Sequence, residues 1–284
     1  MTSIARGGGD AALLAVALDA ARRGAEVLAA HWSHASGVRP AVERKGSAID
    51  LVTAIDRESE RVVVEALRAT GLQVVAEEGS RIEGARAGSG ACWYVDPLDG
   101  TTNFAMGHPF HCVSIGLLVD GAPRLGVVWA PQLHVVWSGG VSAGVRRDRT
   151  DGRERPLVVS PLAALDAVLV GTGFPYDRRT SGDDNLAAHN ALMKRTQGVM
   201  RCGSAAIDLC LVAEGTYGAF WERKLKPWDL VAGAALVLGA GGQVSDPWGR
   251  PFVAAEGAVL ASNGLLHAPM LAALAPHLPP LPSR

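Results

Sequence analysis

The sequence predicts an α/β chain of the α+β layered type, with layers of helices alternating with two mixed or antiparallel β-sheets. Three observations lead there. Short runs of Val, Ile and Leu at hairpin spacing fill residues 113–137, the pattern of an antiparallel sheet. From Val158 onward such runs alternate with helical periodicity, which implies a parallel or mixed sheet covered by helices. The 284 residues are 48% hydrophobic and 19% charged, a globular balance that argues against disorder. No stretch has linker composition and no internal repeat is visible. One domain over 1–284 is therefore expected, with sheet-containing halves near 1–155 and 156–284.

The first element is a helix from Asp10 to Trp32. Arg6 before Ala11–Leu18 has the outline of a short signal peptide, but Asp10 precedes the apolar run and Asp19 closes it. A helix capped by Asp10 accounts for both. A polar stretch, Ser33–Asp50, carries Lys45. Asp56–Ala69 reads as a second helix, with Val62, Val63 and Leu67 set against Arg57, Glu58, Glu60 and Arg61. Gln73–Ala76 is a strand ending on Glu77-Glu78, Ser80–Ala91 a surface loop, and Cys92–Val95 a strand ending on Asp96-Pro97. The hairpin strands are Val113–Val119, Arg124–Trp129 and Leu133–Trp137, separated by Asp120–Pro123 and by Pro131. Gly144–Pro156 is strongly basic and reads as an exposed hairpin loop or irregular edge. In the second half, strands are expected at Val168–Gly171, Tyr217–Trp221, Gln243–Ser245 and Val259–Ala261. Helices are expected at Gly182–Arg195, Ser204–Glu214, Trp228–Leu238 and His267–Ala275, before a proline-rich tail that should fray.

Composition bounds the function. Lys+Arg 27 against Asp+Glu 28 leaves a net charge of -1, so nucleic acid is disfavoured as the main partner. Cysteines 92, 112, 202 and 210 form no C-x-x-C pair and no Cys/His cluster, so reduced thiols in a cytoplasmic protein are expected. The longest apolar run, Leu230–Gly242, is too short and too glycine-rich for a membrane span.

The chemistry begins with carboxylates at strand ends. Neighbouring strands ending on the same side would bring Glu77, Asp96 and Asp99 together. Three ionised carboxylates cannot sit so close without a compensating cation, and oxygen-only ligands select Mg²⁺, Mn²⁺ or Ca²⁺ over zinc. In Asp96-Pro97-Leu98-Asp99-Gly100, both aspartates and the Leu98 carbonyl would point to one place, and Gly100 would admit a ligand close to the backbone. A helix beginning at Gly100 or Thr101 would add N–H groups for an anion. Taken alone, this segment is a plain turn with Asp99 as an N-cap.

It does not stand alone. Trp93-Tyr94-Val95-Asp96-Pro97-Leu98-Asp99-Gly100-Thr101-Thr102-Asn103-Phe104 resembles the first signature of the inositol monophosphatase family. Trp228-Asp229-Leu230-Val231-Ala232-Gly233, followed by Ala240-Gly241-Gly242, resembles its second. Asp50–Asp56 and Glu77-Glu78 are similar to two further family elements, in the family's order. The resemblance implies the layered sugar-phosphatase fold, a Mg²⁺-dependent and lithium-sensitive phosphomonoesterase, and a homodimer. It implies a first Mg²⁺ on Glu77, Asp96 and the Leu98 carbonyl, and a second on Asp96, Asp99 and Asp229. Thr101 and Asp56 would orient and deprotonate the attacking water, with a weaker third Mg²⁺, and Lys45 would be the active-site lysine. Asp56 and Asp229 also read as N-cap residues. Substrate would meet Asp99, Gly100, Thr101, Ala205, Glu222 and Asp229, with Glu222 accepting from polyol hydroxyls.

Thr102-Asn103-Phe104 resembles the inositol branch, so inositol monophosphate is the expected substrate. Fructose 1,6-bisphosphate, histidinol phosphate and a nucleotide 3′-phosphate are alternatives within the same chemistry. A binding role in RNA or transcription complexes is the alternative of another class, with Arg146, Arg147, Arg149, Arg153 and Arg155 as its candidate face. Two positions depart from the family pattern: Ala76 in place of a glycine, and Met200 where many relatives carry an arginine near the subunit interface. Arg223, Lys224 and Lys226 crowd the stretch between Glu222 and Asp229 and read as solvated.

Overall fold

A computed structural model of the chain describes residues 8–32, 42–44, 51–85, 88–149 and 152–281. In chain order, α1 is Gly8–His31, β1 Val42–Arg44, β2 Leu51–Thr53, α2 Ala54–Leu67, β3 Gln73–Ala76 and β4 Arg81–Ile82. β5 is Ala91–Asp99, α3 Thr101–Ala105, β6 Cys112–Val119, β7 Ala122–Ala130, β8 Val135–Gly140, β9 Gly144–Arg149 and β10 Glu154–Pro156. β11 is Leu169–Thr172, α4 Leu186–Met193, β12 Gly198–Met200, α5 Ala205–Ala213 and β13 Ala219–Glu222. α6 is Pro227–Gly239, β14 Gln243–Ser245, β15 Val259–Ser262 and α7 His267–Leu274.

β1 and β2 pair with each other. The larger sheet has eight strands in the order β10-β9-β8-β7-β6-β5-β3-β4. All its pairs are antiparallel except β3 with β5. The smaller sheet has five strands, β12-β11-β13-β15-β14; β11 is parallel to both neighbours and β15 antiparallel to both of its own.

The layers follow from which faces are apolar. α1 and α2 lie against one face of the larger sheet, burying Leu28, Val63 and Leu67 on Trp93, Val95 and Ile115. α5 and α6 fill the space between the sheets, where Leu209, Leu230 and Leu236 meet Trp137 and Phe220. α4 and α7 cover the far face of the smaller sheet, with Leu192 and Met270 on Val170 and Trp221. Phe220 and Trp221 go to different cores because successive strand residues face opposite sides. The expected alternation of helices with two sheets is thus what the chain builds.

Several expectations change in detail. Among the described residues α1 runs from Gly8, so Asp10 lies inside its first turn; it accepts from Arg124 Nε at 2.9 Å. α2 starts at Ala54, which removes Asp56 from the N-cap. The stretch read as a loop after Ser80 contains β4, and Gly144–Pro156 is regular enough to form the edge hairpin β9–β10. β12 gave no sequence signal. The tail expected to fray is tied down in part, since Trp248 Nε1 donates to Pro279 O at 3.1 Å.

The four cysteines are free thiols, with Cys112 and Cys210 buried. Burial pushes Cys92 and Cys202 up to about 11 and the other two upward as well, so none is a thiolate near neutral pH. Among the described residues no helix is long and apolar enough to cross a membrane.

Candidate active site

β5 was expected to stop at Val95 but runs on through Asp99. Its pairing with β6 explains how it carries two useful carboxylates. Asp96 stands opposite Ser114 and Asp99 opposite Cys112, so three steps on β5 match two on β6. The extra residue is a β-bulge, and it accommodates Pro97 in an interior strand. In a regular strand, residues three apart face opposite sides; the bulge brings Asp96 and Asp99 back to the same side. Both are buried. Ser59 Oγ of α2 donates to Pro97 O at 3.0 Å and pins the bulge from behind.

Each carboxylate is held by one oxygen. Leu98 N donates to Asp96 Oδ1 at 2.9 Å. Asp99 Oδ2 accepts from Ser204 Oγ at 2.7 Å and from Ala206 N at 2.8 Å, at the N-terminus of α5, which is capped by Ser204. Asp99 therefore does not cap α3; it is a partner of α5 across the layer. Asp229 Oδ2 accepts from Lys226 N at 2.7 Å, so Asp229 is the third helical residue, its carboxylate turned back to the N-cap amide, and is not itself the N-cap. The turn after β3 is fixed by Glu60 of α2, whose carboxylate accepts from Glu78 N at 2.7 Å and Ser80 N at 3.0 Å. Glu77 leaves β3 through that turn, its N–H on Val95 O at 3.1 Å.

The carboxylates lie close enough to raise one another. Burial raises the Asp96 carboxyl well above the usual range, and Glu77, Asp99, Asp229 and Asp56 push it further in the same direction. Asp229 is raised by burial, then by Asp99 and Glu77, against the Lys226 N–H. Asp99 is raised by burial and eased by Ser204 and by the Ala206 and Ala205 amides. The Ala205 amide, expected to face substrate, is thus directed at Asp99.

Among the described residues no three His, Cys, Asp or Glu side chains close into a set that could hold an ion. The carboxylates are near enough to raise one another but do not converge on one point. One oxygen each of Asp96, Asp99 and Asp229 is turned to a local N–H or hydroxyl. The donor set nevertheless fits a hard divalent cation: it is oxygen-only, and its carboxylates raise one another's pKa.

The remaining predicted residues divide. Thr101 opens α3 and its hydroxyl donates to Leu98 O at 3.1 Å. Gly100 has φ 91°, a left-handed torsion, and an added Cβ would meet Phe110 O at 2.8 Å. Asp56, 1% exposed, lies close enough to raise Asp96. Glu222 ends β13, and burial, Asp208 and Asp99 push it up to about 8. Lys45 and Asp50 lie outside the described residues.

Arg223 and Lys224 do not read as solvated. Arg223 is buried and paired with Asp183; Lys224 Nζ reaches Asp177 Oδ2 at 2.8 Å. Their charges are spent on joining two loops. Sequence reasoning also missed two residues. Asp208 is a buried carboxylate beside Cys202, raised by burial. Tyr176 has an exposed side chain, yet its hydroxyl end is desolvated and further raised by Asp229, Asp99, Glu77 and Asp96.

The layered fold with this carboxylate cluster between its sheets defines a class, the metal-dependent phosphatases. The chain belongs to the inositol monophosphatase family, whose family model matches residues 10–279. It is 42% identical over 236 residues to the inositol-1-monophosphatase of Synechocystis sp., covering 82% of this chain and 80% of that protein. It is 38% identical over 276 residues to the Nus factor SuhB of Pseudomonas aeruginosa, covering 94% and 97%. The solved inositol monophosphatase from Anabaena (Nostoc) sp. PCC 7120 superposes with a TM-score of 0.81 at 38% identity, over 95% of this chain and 98% of that one.

Proposed function

We propose that this chain hydrolyses inositol monophosphate to inositol and phosphate, with Mg²⁺ held by Glu77, Asp96, the Leu98 carbonyl, Asp99 and Asp229. The observation that carries the reading is the buried Asp96, on which every main influence is another carboxylate or burial itself. When bound there, Mg²⁺ supplies positive charge for the phosphoryl oxygens and lowers the pKa of a bound water. The chain's own residues do the rest. Asp56 and Thr101 orient the attacking water and take its proton. The bulge fixes the angle between Asp96 and Asp99, and α5 fixes Asp99 from behind. Glu222 accepts from hydroxyls of the leaving group. Burial disfavours its charged form, and hydrogen bonds from those hydroxyls would favour it again.

The family resemblance also supports lithium sensitivity, a homodimer, a cytoplasmic location and a weaker third Mg²⁺. The packing of α5 and α6 between both sheets supports treating the two halves as one domain. A second reading, attachment to a transcription complex, draws on the similarity to a Nus factor. The Arg-rich hairpin adds less to it than its composition suggests, because Arg147 and Arg155 are paired with Glu214 and Arg146 with Asp148.

Phosphate release from a panel of small phosphate esters tests the main reading. Inositol monophosphate should be the best substrate, turnover should need Mg²⁺, and Asp96→Asn should lower it roughly a thousandfold. Turnover unaffected by chelator, or by Asp96→Asn, would remove the metal-site assignment.

A further inference from the structure

Gly173 directly follows β11, where β11 pairs in parallel with β13 and Thr172 stands opposite Trp221. The next residues along are Gly173 and Glu222. A Cβ built on Gly173 would lie 2.0 Å from Glu222 Oε1, 2.1 Å from Cδ and 2.2 Å from Oε2. The Glu222 carboxylate therefore occupies the space a side chain would need. Gly173 is not among the residues with positive φ. It is a glycine on account of space, not backbone torsion.

Gly173 is itself fixed. Asn185 Nδ2 donates to Gly173 O at 2.7 Å and to Thr172 Oγ1 at 2.9 Å. Asn185 Oδ1 accepts from Trp221 Nε1 at 2.9 Å, and Thr172 Oγ1 donates to Trp221 O at 2.7 Å. Asn185, Thr172 and Trp221 are all buried, so the network is shielded from water. Asn185 has φ 68°, and asparagine is one of the few residues apart from glycine that adopts this torsion readily while offering two donors and an acceptor. On the other side of Glu222, the Arg223–Asp183 and Lys224–Asp177 pairs fasten the chain to the same loop.

We infer that Gly173, held by Asn185, is a positioning residue for Glu222, and so sets the preference for phosphate esters whose leaving group carries hydroxyls. This rests on the reading that Glu222 accepts from those hydroxyls. The substrate would be any phosphorylated polyol; the discriminated class is phosphate esters with no hydroxyl beside the phosphate.

The test compares Gly173→Ala, Glu222→Ala and the double variant on inositol monophosphate, and Gly173→Ala also on p-nitrophenyl phosphate. Gly173→Ala should lower kcat/KM for inositol monophosphate about tenfold or more, chiefly through KM, the loss expected for a displaced charged hydrogen bond. Its hydrolysis of p-nitrophenyl phosphate should stay within about twofold, a range too small to signal lost transition-state contacts. The double variant should be no worse than Glu222→Ala, since the two changes remove one interaction. If Gly173→Ala does not fold, Asn185→Asp carries the same comparison, because it keeps the shape and removes both donated bonds. Equal losses on both substrates, or additive losses in the double variant, would overturn the positioning role, and so would an unchanged Gly173→Ala beside an impaired Glu222→Ala. An unimpaired Glu222→Ala would instead overturn the underlying assignment of Glu222 to polyol hydroxyls.

Discussion

His111 shows how much one buried side chain can depend on its surroundings. It is fully buried, with its ring 4.7 Å from Trp32 and 5.0 Å from Phe104. Its Nδ1 lies 3.2 Å from His108 O. A carbonyl only accepts, so Nδ1 carries the proton, and among the described residues Nε2 has no partner. Burial lowers its pKa to about 4. In the unfolded chain it titrates near 6.5. Between those values the unfolded state binds the extra proton, so acidification favours unfolding. The protein should therefore lose up to about 3 kcal/mol between pH 6.5 and 4 from this residue alone. Denaturant melts at several pH values check it: His111→Gln should flatten that part of the profile, and an unchanged slope would exclude His111 as its source. The site carboxylates depart from their ordinary range for a different reason, since Asp96 adds the charge of its neighbours to burial.

At the scale of elements, the placement of α6 depends on glycines. A Cβ on Gly116 of β6 would lie 2.4 Å from Ala232 N, and one on Gly126 of β7 2.2 Å from Ala232 O. On the other side, a Cβ on Gly233 would lie 2.4 Å from Leu209 Cβ of α5. Helix backbone thus rests on sheet backbone, with no room for a methyl group. Because Asp229 sits in the first turn of α6, this close approach also sets the depth of a site carboxylate. Gly126→Ala should cost about 3 kcal/mol or more by urea denaturation, the upper range for overpacking. Its thermal response to Mg²⁺ should weaken as well, because α6 must move. A stable variant with an intact Mg²⁺ response would show that the helix can shift without carrying Asp229 away.

For the whole molecule, the site is a product of layering. Asp96 and Asp99 come from the larger sheet, Asp229 from a helix between the sheets, and Glu222 from the smaller sheet. Folding gathers like charges, which costs stability until a cation neutralises them. Mg²⁺ at a hundredfold excess over Kd should add about 2.7 kcal/mol if it binds only the folded chain. Calorimetric melting should rise by several degrees with Mg²⁺ and return with chelator. Identical curves would mean that the carboxylate cluster holds no ion.

The sequence by itself determined the longer helices and the strands of both sheet interiors, the two-sheet class and the candidate carboxylates, while β4, β12 and the β9–β10 edge hairpin escaped it. Those are written in local signals: alternation over 113–137, helical spacing in α6, and the strand end marked by Glu77. Only the tertiary structure decided the rest. The bulge at Pro97–Leu98 appears in the pairing of β5 with β6, not in β5 alone. Asp10 turned out to bind Arg124 and Arg223 to pair with Asp183, partners far apart in the chain. Gly173 needed the Glu222 carboxylate beside it before its lack of a side chain had a meaning. The physical reason is range. Propensity and periodicity act over a few residues, whereas burial, charge pairing and steric fit are settled between segments that meet only after folding.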